Sequence, residues 1–163
     1  MRNLYDTEEF ENAYTYLGHD LGAFWTESQT VFRLWAPTAR EVTLLLYRDG
    51  LGGEPLASQQ LHPEKNGTWI ARRMGNLKGL YYTYLVNVDG QAKEACDPYA
   101  KAVGVNGQRA MVIDLWETNP ADWAEDRSPF QGKGITDAVL YELHIRDLSM
   151  HRSSHIQNKG KYL

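Results

Sequence analysis

Residues 30–113 alternate apolar and polar side chains in short runs, each closed by a turn-forming residue. A period of two sends successive side chains to opposite faces, so each run predicts a strand with one buried face. The first run, 31–36, ends at Pro37, which has no amide proton to give a sheet ladder. A second, 42–47, is closed by Asp49-Gly50 and the pair Gly52-Gly53, and residues 56–61 predict a third. Asn66-Gly67 then turns the chain into a fourth run over 68–73. Tyr82, Tyr84, Val86 and Val88 share one face of the next strand, and Asp89-Gly90 follows directly. That dipeptide suits a two-residue hairpin turn, in which both positions take positive φ. The return strand spans 91–95, and residues 110–114 complete the set. Short strands at this spacing without intervening helices predict an all-β fold, an immunoglobulin-like antiparallel β-sandwich.

The flanks follow other patterns. Asp6 and Glu9 have the spacing of a capping box, which predicts a short N-terminal helix over 7–14. Residues 16–23 are turn-rich and lead into the sheets. After Asp114 the texture changes: Pro120 and Pro129, then Gly132 and Gly134, mark a connecting segment. Beyond it, Val139, Tyr141, Leu143 and Ile145 fall on one face of an apolar run, with Leu140, Glu142, His144 and Arg146 on the other. Such a run predicts a strand in a covered sheet, with charges at the carboxyl end where parallel α/β sheets carry their sites. The expected division is therefore 1–22 (helix and lead-in), 23–114 (β-sandwich), 115–136 (connection) and 137–163 (the start of a truncated barrel). An apolar strand without neighbours exposes unpaired backbone, so residues 138–148 are expected to dock on the sandwich, to pair with a second copy as a homodimer, or to be disordered, with pairing favoured.

Net charge is −4 with no basic cluster, which argues against nucleic acid as a partner. The single Cys96 excludes a disulfide framework and a cysteine-based zinc site; a small buried residue is the expectation. Asp6, Glu8, Glu9 and Glu11 stand where a signal peptide would carry its basic region. No apolar run is long enough to cross a bilayer, so no membrane partner and a cytoplasmic location are expected.

Candidate chemistry is sparse. Glu142, His144 and Asp147 have metal-ligand side chains, but only two of the three share a face and no fourth ligand is evident. No serine or cysteine is placed for activation by His144 and Asp147. No catalytic residue, metal or cofactor is therefore expected. The five tryptophans and ten tyrosines serve either a core or a sugar-stacking surface. Trp35, in a core-like strand, is expected to be buried. Trp69, just after a turn, is the candidate sugar-stacking residue. Trp116 and Trp123 lie where a neighbouring domain would pack.

The run Thr30-Val-Phe-Arg-Leu-Trp-Ala-Pro-Thr-Ala39, followed by Val42-Thr-Leu-Leu-Leu-Tyr47, resembles the opening of the family 48 carbohydrate-binding module. Gly67-Thr-Trp69, Gly79-Leu-Tyr-Tyr-Thr-Tyr84, Asp97-Pro-Tyr-Ala-Lys-Ala102 and Val105-Asn-Gly107 follow in the order of type I pullulanases. Tyr141-Glu-Leu-His-Ile-Arg-Asp-Leu-Ser149 resembles the first barrel strand of those enzymes, in glycoside hydrolase family 13, and Lys159-Gly-Lys-Tyr-Leu163 resembles the segment after it. The resemblance implies an accessory module of a retaining hydrolase that cleaves α-1,6-glucosidic bonds in starch, glycogen, pullulan and branched dextrins. It also implies an α-glucan as the partner of the parent enzyme. Its nucleophile and acid belong to later barrel strands, and a barrel of about 250 residues does not fit after Gly134, so the 163-residue chain alone is expected to be inactive. Glycogen-binding members carry an aromatic residue after the hairpin Asp-Gly, whereas Asp89-Gly-Gln-Ala92 has none, which counts against direct binding. A freestanding glucan-binding or scaffolding module, or a plain immunoglobulin-like interaction domain, is the alternative.

Overall fold

The computed structural model describes residues 4–161 and contains two compact units, Met1–Asn119 and Pro120–Leu163. In the first, helix α1 (Glu8–Tyr14) precedes nine strands: β1 (Gly22–Trp25), β2 (Gln29–Trp35), β3 (Glu41–Tyr47), β4 (Ala57–Gln60), β5 (His62–Pro63), β6 (Thr68–Met74), β7 (Tyr81–Val88), β8 (Gln91–Ala95) and β9 (Ala110–Met111). One sheet runs β1-β2-β6-β5 and the other β4-β3-β7-β8, with every pairing antiparallel. β9 joins the second sheet at the other half of the β7 edge, beside Tyr81 and Tyr82. The fold is thus the expected antiparallel β-sandwich.

Alternation decides what goes inside. Phe32 and Leu34 of β2 pair with Ala71 and Trp69 of β6, and all four point inward. Val42, Leu44 and Leu46 of β3 meet them with Tyr82 and Tyr84 of β7. The rings of Phe32 and Tyr82 join the sheets edge to face at 5.0 Å, and Tyr84 continues the stack 5.7 Å further on. Such offset contacts suit the aromatic quadrupole. At the hairpin tip Asp89 has φ 51 and Gly90 φ 80, so the turn takes the positive-φ geometry its sequence predicts.

Several details differ from the sequence expectation. The helix is capped by Thr7, whose hydroxyl accepts from the Phe10 amide at 3.2 Å, rather than by Asp6. Two strands too short to show a period, β1 and β5, complete the first sheet. Trp35 is not a core residue: its parity matches Arg33, not Phe32 and Leu34, so it lies on the outer face, 37% exposed. The largest difference falls on the predicted strand over 138–145. Residues 138–144 join no ladder, and 145–150 form helix α2 (Ile145–Met150), whose first turn His144 Nδ1 caps by accepting from the Asp147 amide at 3.3 Å. A strand exists only through a neighbour's backbone, and among the described residues none pairs with this run. Leu140 is consequently 94% exposed, with Val139 and Tyr141 open beside it. In the same unit Ser149 is buried, accepting from the Gly160 amide at 2.7 Å and donating to Arg146 O at 3.2 Å.

Candidate glucan-binding surface

The hairpin presents the outer face of the second sheet, where Thr43 and Leu45 of β3 lie beside Leu85 and Thr83 of β7, and Glu94 and Ala92 of β8 oppose Leu85 and Asn87. Glu94 is the polar centre of this face. Its Oε1 accepts from Tyr47 OH at 2.6 Å and from Thr83 Oγ1 at 2.7 Å. Chiefly because of the Tyr47 hydrogen bond, the Glu94 carboxyl lies below the usual carboxylate range, while burial pushes the Tyr47 phenol up. The Arg109 guanidinium sits 3.4 Å over the Tyr47 ring and donates to the carbonyls of Asp49 at 2.7 Å and Gly52 at 2.6 Å. Two rings lie on this face, paired across β3 and β7: Tyr47 is buried with its π-surface covered by a cation, and Tyr81 is half-buried beside Gly50 and Gly104. Ala92 adds a methyl group where a stacking residue would stand. The face offers hydrogen bonds to a polyol and no aromatic platform.

The tryptophans divide by strand parity. Trp69, the candidate from sequence, is 8% exposed and faces the core, its Nε1 donating to Ala36 O at 3.0 Å. In this position it seals the end of the sandwich and presents no ring face to solvent. Trp35 Nε1 donates to Tyr14 O at 2.8 Å and to Asn66 O at 3.1 Å, tying the end of α1 to the Asn66-Gly67 turn. Trp25 Nε1 donates to Asn76 Oδ1 at 2.9 Å, with Lys78 Nζ 5.2 Å from its ring centre. Trp116 is 82% exposed on a single 3₁₀ turn whose amide is accepted by Asp114 Oδ1 at 3.0 Å. In the second unit Trp123 is also exposed. The roles of Trp35 and Trp25 were legible only as strand parity, a signal the Trp-Ala-Pro motif obscures.

Against this geometry, residues 20–100 match the model of the carbohydrate-binding module 48, the isoamylase N-terminal domain. They belong to that family. The whole chain is also similar to pullulanases. It is 34% identical to the pullulanase of Bacillus subtilis over 157 residues, which are 96% of this chain and 21% of that one. It is 32% identical to the chloroplastic pullulanase 1 of Arabidopsis thaliana over 154 residues, 88% of this chain and 16% of the plant protein. The crystal structure of the Paenibacillus barengoltzii pullulanase in complex with maltohexaose and α-cyclodextrin superposes with a TM-score of 0.85 at 45% identity. It covers 96% of this chain and 24% of that one. The chain thus spans about a fifth to a quarter of the length of these two bacterial pullulanases.

Within this module 48 domain one carboxylate is sealed from solvent. Asp97, 3% exposed, accepts from Tyr82 OH at 2.8 Å and Tyr84 OH at 3.5 Å through Oδ2, and from the Tyr99 amide at 2.8 Å through Oδ1. Burial holds its carboxyl above the ordinary range, against those hydrogen bonds, and burial likewise raises both tyrosines. Acid–base chemistry needs a group within reach of a substrate; Asp97 instead fastens the chain leaving β8 to the middle of β7. Cys96 beside it is half-buried and unpaired, its thiol pushed up mainly by desolvation. Among the described residues no group of three His, Cys, Asp or Glu side chains converges as a metal site, and no helix is long and apolar enough to cross a membrane.

Proposed function

We propose that this chain is the accessory module of a debranching hydrolase that cleaves α-1,6-glucosidic bonds in pullulan and branched dextrins. The observation that carries the reading is its similarity to pullulanases over 96% of its length, module and following segment together. A module 48 domain alone fits many glucan-acting enzymes; the continuation past residue 100 into the region around Tyr141 narrows the choice. The parent would use a retaining mechanism, in which a carboxylate nucleophile and an acid/base carboxyl lie about 5 Å apart across the scissile bond. Both belong to a barrel of roughly 250 residues, outside these 163. The β-sandwich would shield and orient that barrel.

The exposed apolar run around Val139, Leu140 and Tyr141 supports the same reading, because side chains this apolar need a covering polypeptide rather than a sugar. Bond specificity is the decisive test. The gene product that carries this chain should convert pullulan to maltotriose and leave linear malto-oligosaccharides intact. Cleavage of the linear α-1,4 chains with pullulan untouched would overturn the assignment.

A further inference from the structure

We propose that the groove between α1, the Pro37-Thr38 turn and the β7–β8 hairpin is a binding site for a neutral α-glucan segment, distinct from the outer face of the second sheet. The proposal rests on the glucan-enzyme reading above and adds where the module meets the sugar. The groove encloses about 460 Å³, within the range of roughly 300–1,000 Å³ typical of ligand clefts. Its aromatic wall is Tyr5, Phe10 and Tyr14, with ring centres 5.2 Å and 4.7 Å apart. Tyr5 is 51% exposed and the other two are half-buried, so the wall is open on one side. None of the α1 residues is fully buried, although the helix carries Phe10 and Tyr14, with Tyr5 on the 3₁₀ turn before it.

The polar lining matches the chemistry of a sugar. Glu9 and Asp89 supply carboxylates that accept hydrogen bonds from hydroxyls, Asp89 Oδ1 also lying 3.5 Å from the exposed Arg40 guanidinium, and Thr38 supplies a hydroxyl beside Thr7, whose own caps α1. Among the described residues that line the groove none is lysine or arginine. The two carboxylates against the one Arg40 cation disfavour a phosphorylated or acidic ligand, whereas a neutral polyol can stack on the rings and donate to the carboxylates.

The aromatic wall is also held in place before any ligand arrives. Trp35 Nε1 fixes Tyr14 O, and Asn66 Nδ2 donates to Thr15 O at 2.9 Å, so the last turn of α1 is tied to the sandwich from two sides. Preorganisation of this kind lowers the cost of ordering a site on binding. On the outer face, by contrast, the Tyr47 ring lies under Arg109 and Tyr81 packs beside Gly50 and Gly104.

The test titrates maltoheptaose into the 163-residue chain, followed by amide chemical shifts and calorimetry, with Tyr5→Ala and Glu9→Gln as variants. Both residues are exposed, and an unchanged thermal midpoint verifies that each variant folds. The expected result is shifts centred on residues 5–14 and 37–38, with binding about three- to tenfold weaker in Tyr5→Ala, the loss of one ring contact. Shifts confined to the outer face around Leu85 and Glu94 would overturn the proposal. So would undiminished affinity in both variants, or no binding at millimolar sugar. Pullulan hydrolysis by the gene product is measured separately, so failure of the groove and failure of the debranching assignment register in different assays.

Discussion

Replacing Asp97 with alanine should be the most damaging single change to a polar residue of the sandwich. The substitution deprives Tyr82 OH and Tyr84 OH of their acceptor in a site sealed from water, and frees the Tyr99 amide. A buried donor left unsatisfied costs about 1–3 kcal/mol. The Tyr84 contact, at 3.5 Å, is the weakest of the three, and removing a desolvated carboxylate returns part of the loss. A net destabilisation of about 2–4 kcal/mol follows. Asp97→Asn keeps the shape and one acceptor and should cost less. The two variants also expose the linkage. Because the folded carboxyl is held above its unfolded value, the folded state binds the proton more tightly. The stability this contributes is complete below the unfolded carboxylate pKa of about 3.9 and is lost as pH rises through the raised folded value. Urea unfolding monitored by tryptophan fluorescence across that window should show this fall in the natural chain and a flatter profile in Asp97→Asn. A loss under about 0.5 kcal/mol in Asp97→Ala, or a stability difference between the natural chain and Asp97→Asn that grows with pH in the natural chain's favour, would refute the reasoning.

Other consequences are checked more simply. Trp69→Ala should cost about 3–5 kcal/mol in unfolding experiments because the ring is packed in the core; an unaltered midpoint with weakened glucan binding would assign it to the sugar instead. Gly67→Ala should destabilise the chain by more than about 1 kcal/mol, since Gly67 has φ +71 and an added Cβ would lie 2.6 Å from Pro37 Cβ; equal stability would show that the turn rearranges freely. Tyr16→Phe should raise the Asp20 titration point, because the Tyr16 hydrogen bond is the main influence holding that carboxyl low; an unmoved NMR titration would show that Arg33, 2.8 Å away, holds it alone. The isolated chain should dimerise with concentration through the apolar run at 138–144, and Leu140→Lys should abolish it; a monomer at all concentrations in sedimentation experiments would remove that partner.

The larger strands were legible because their neighbours impose alternation. β2 and β3 bury one face almost throughout, and the sequence records this as a period of two; β6 and β7 keep the alternation only in part, because residues 68–71 and 82–84 are buried on both faces. The β7–β8 hairpin could be placed to the residue from Asp89-Gly90, and the lack of an aromatic at Ala92 could be read with it. What failed was information held by partners rather than by the chain segment. Residues 138–145 have strand-like side chains, yet hydrogen bonding to a neighbour makes a strand, and none is present among the described residues. Trp35 was assigned inward on its apolar character, although counting from Phe32 sets it outward. The aromatic groove was invisible for a further reason: Tyr5, Phe10 and Tyr14 meet Thr38 and Asp89 only after the sheets close.

The central claim, that this β-sandwich serves a debranching hydrolase while the hydrolytic carboxylates lie elsewhere, is tested most directly by incubating pullulan with the purified 163-residue polypeptide and measuring new reducing ends. None above the blank is expected, with maltotriose released under the same conditions by the gene product that carries the chain. Reducing ends released by the 163-residue polypeptide itself would contradict it.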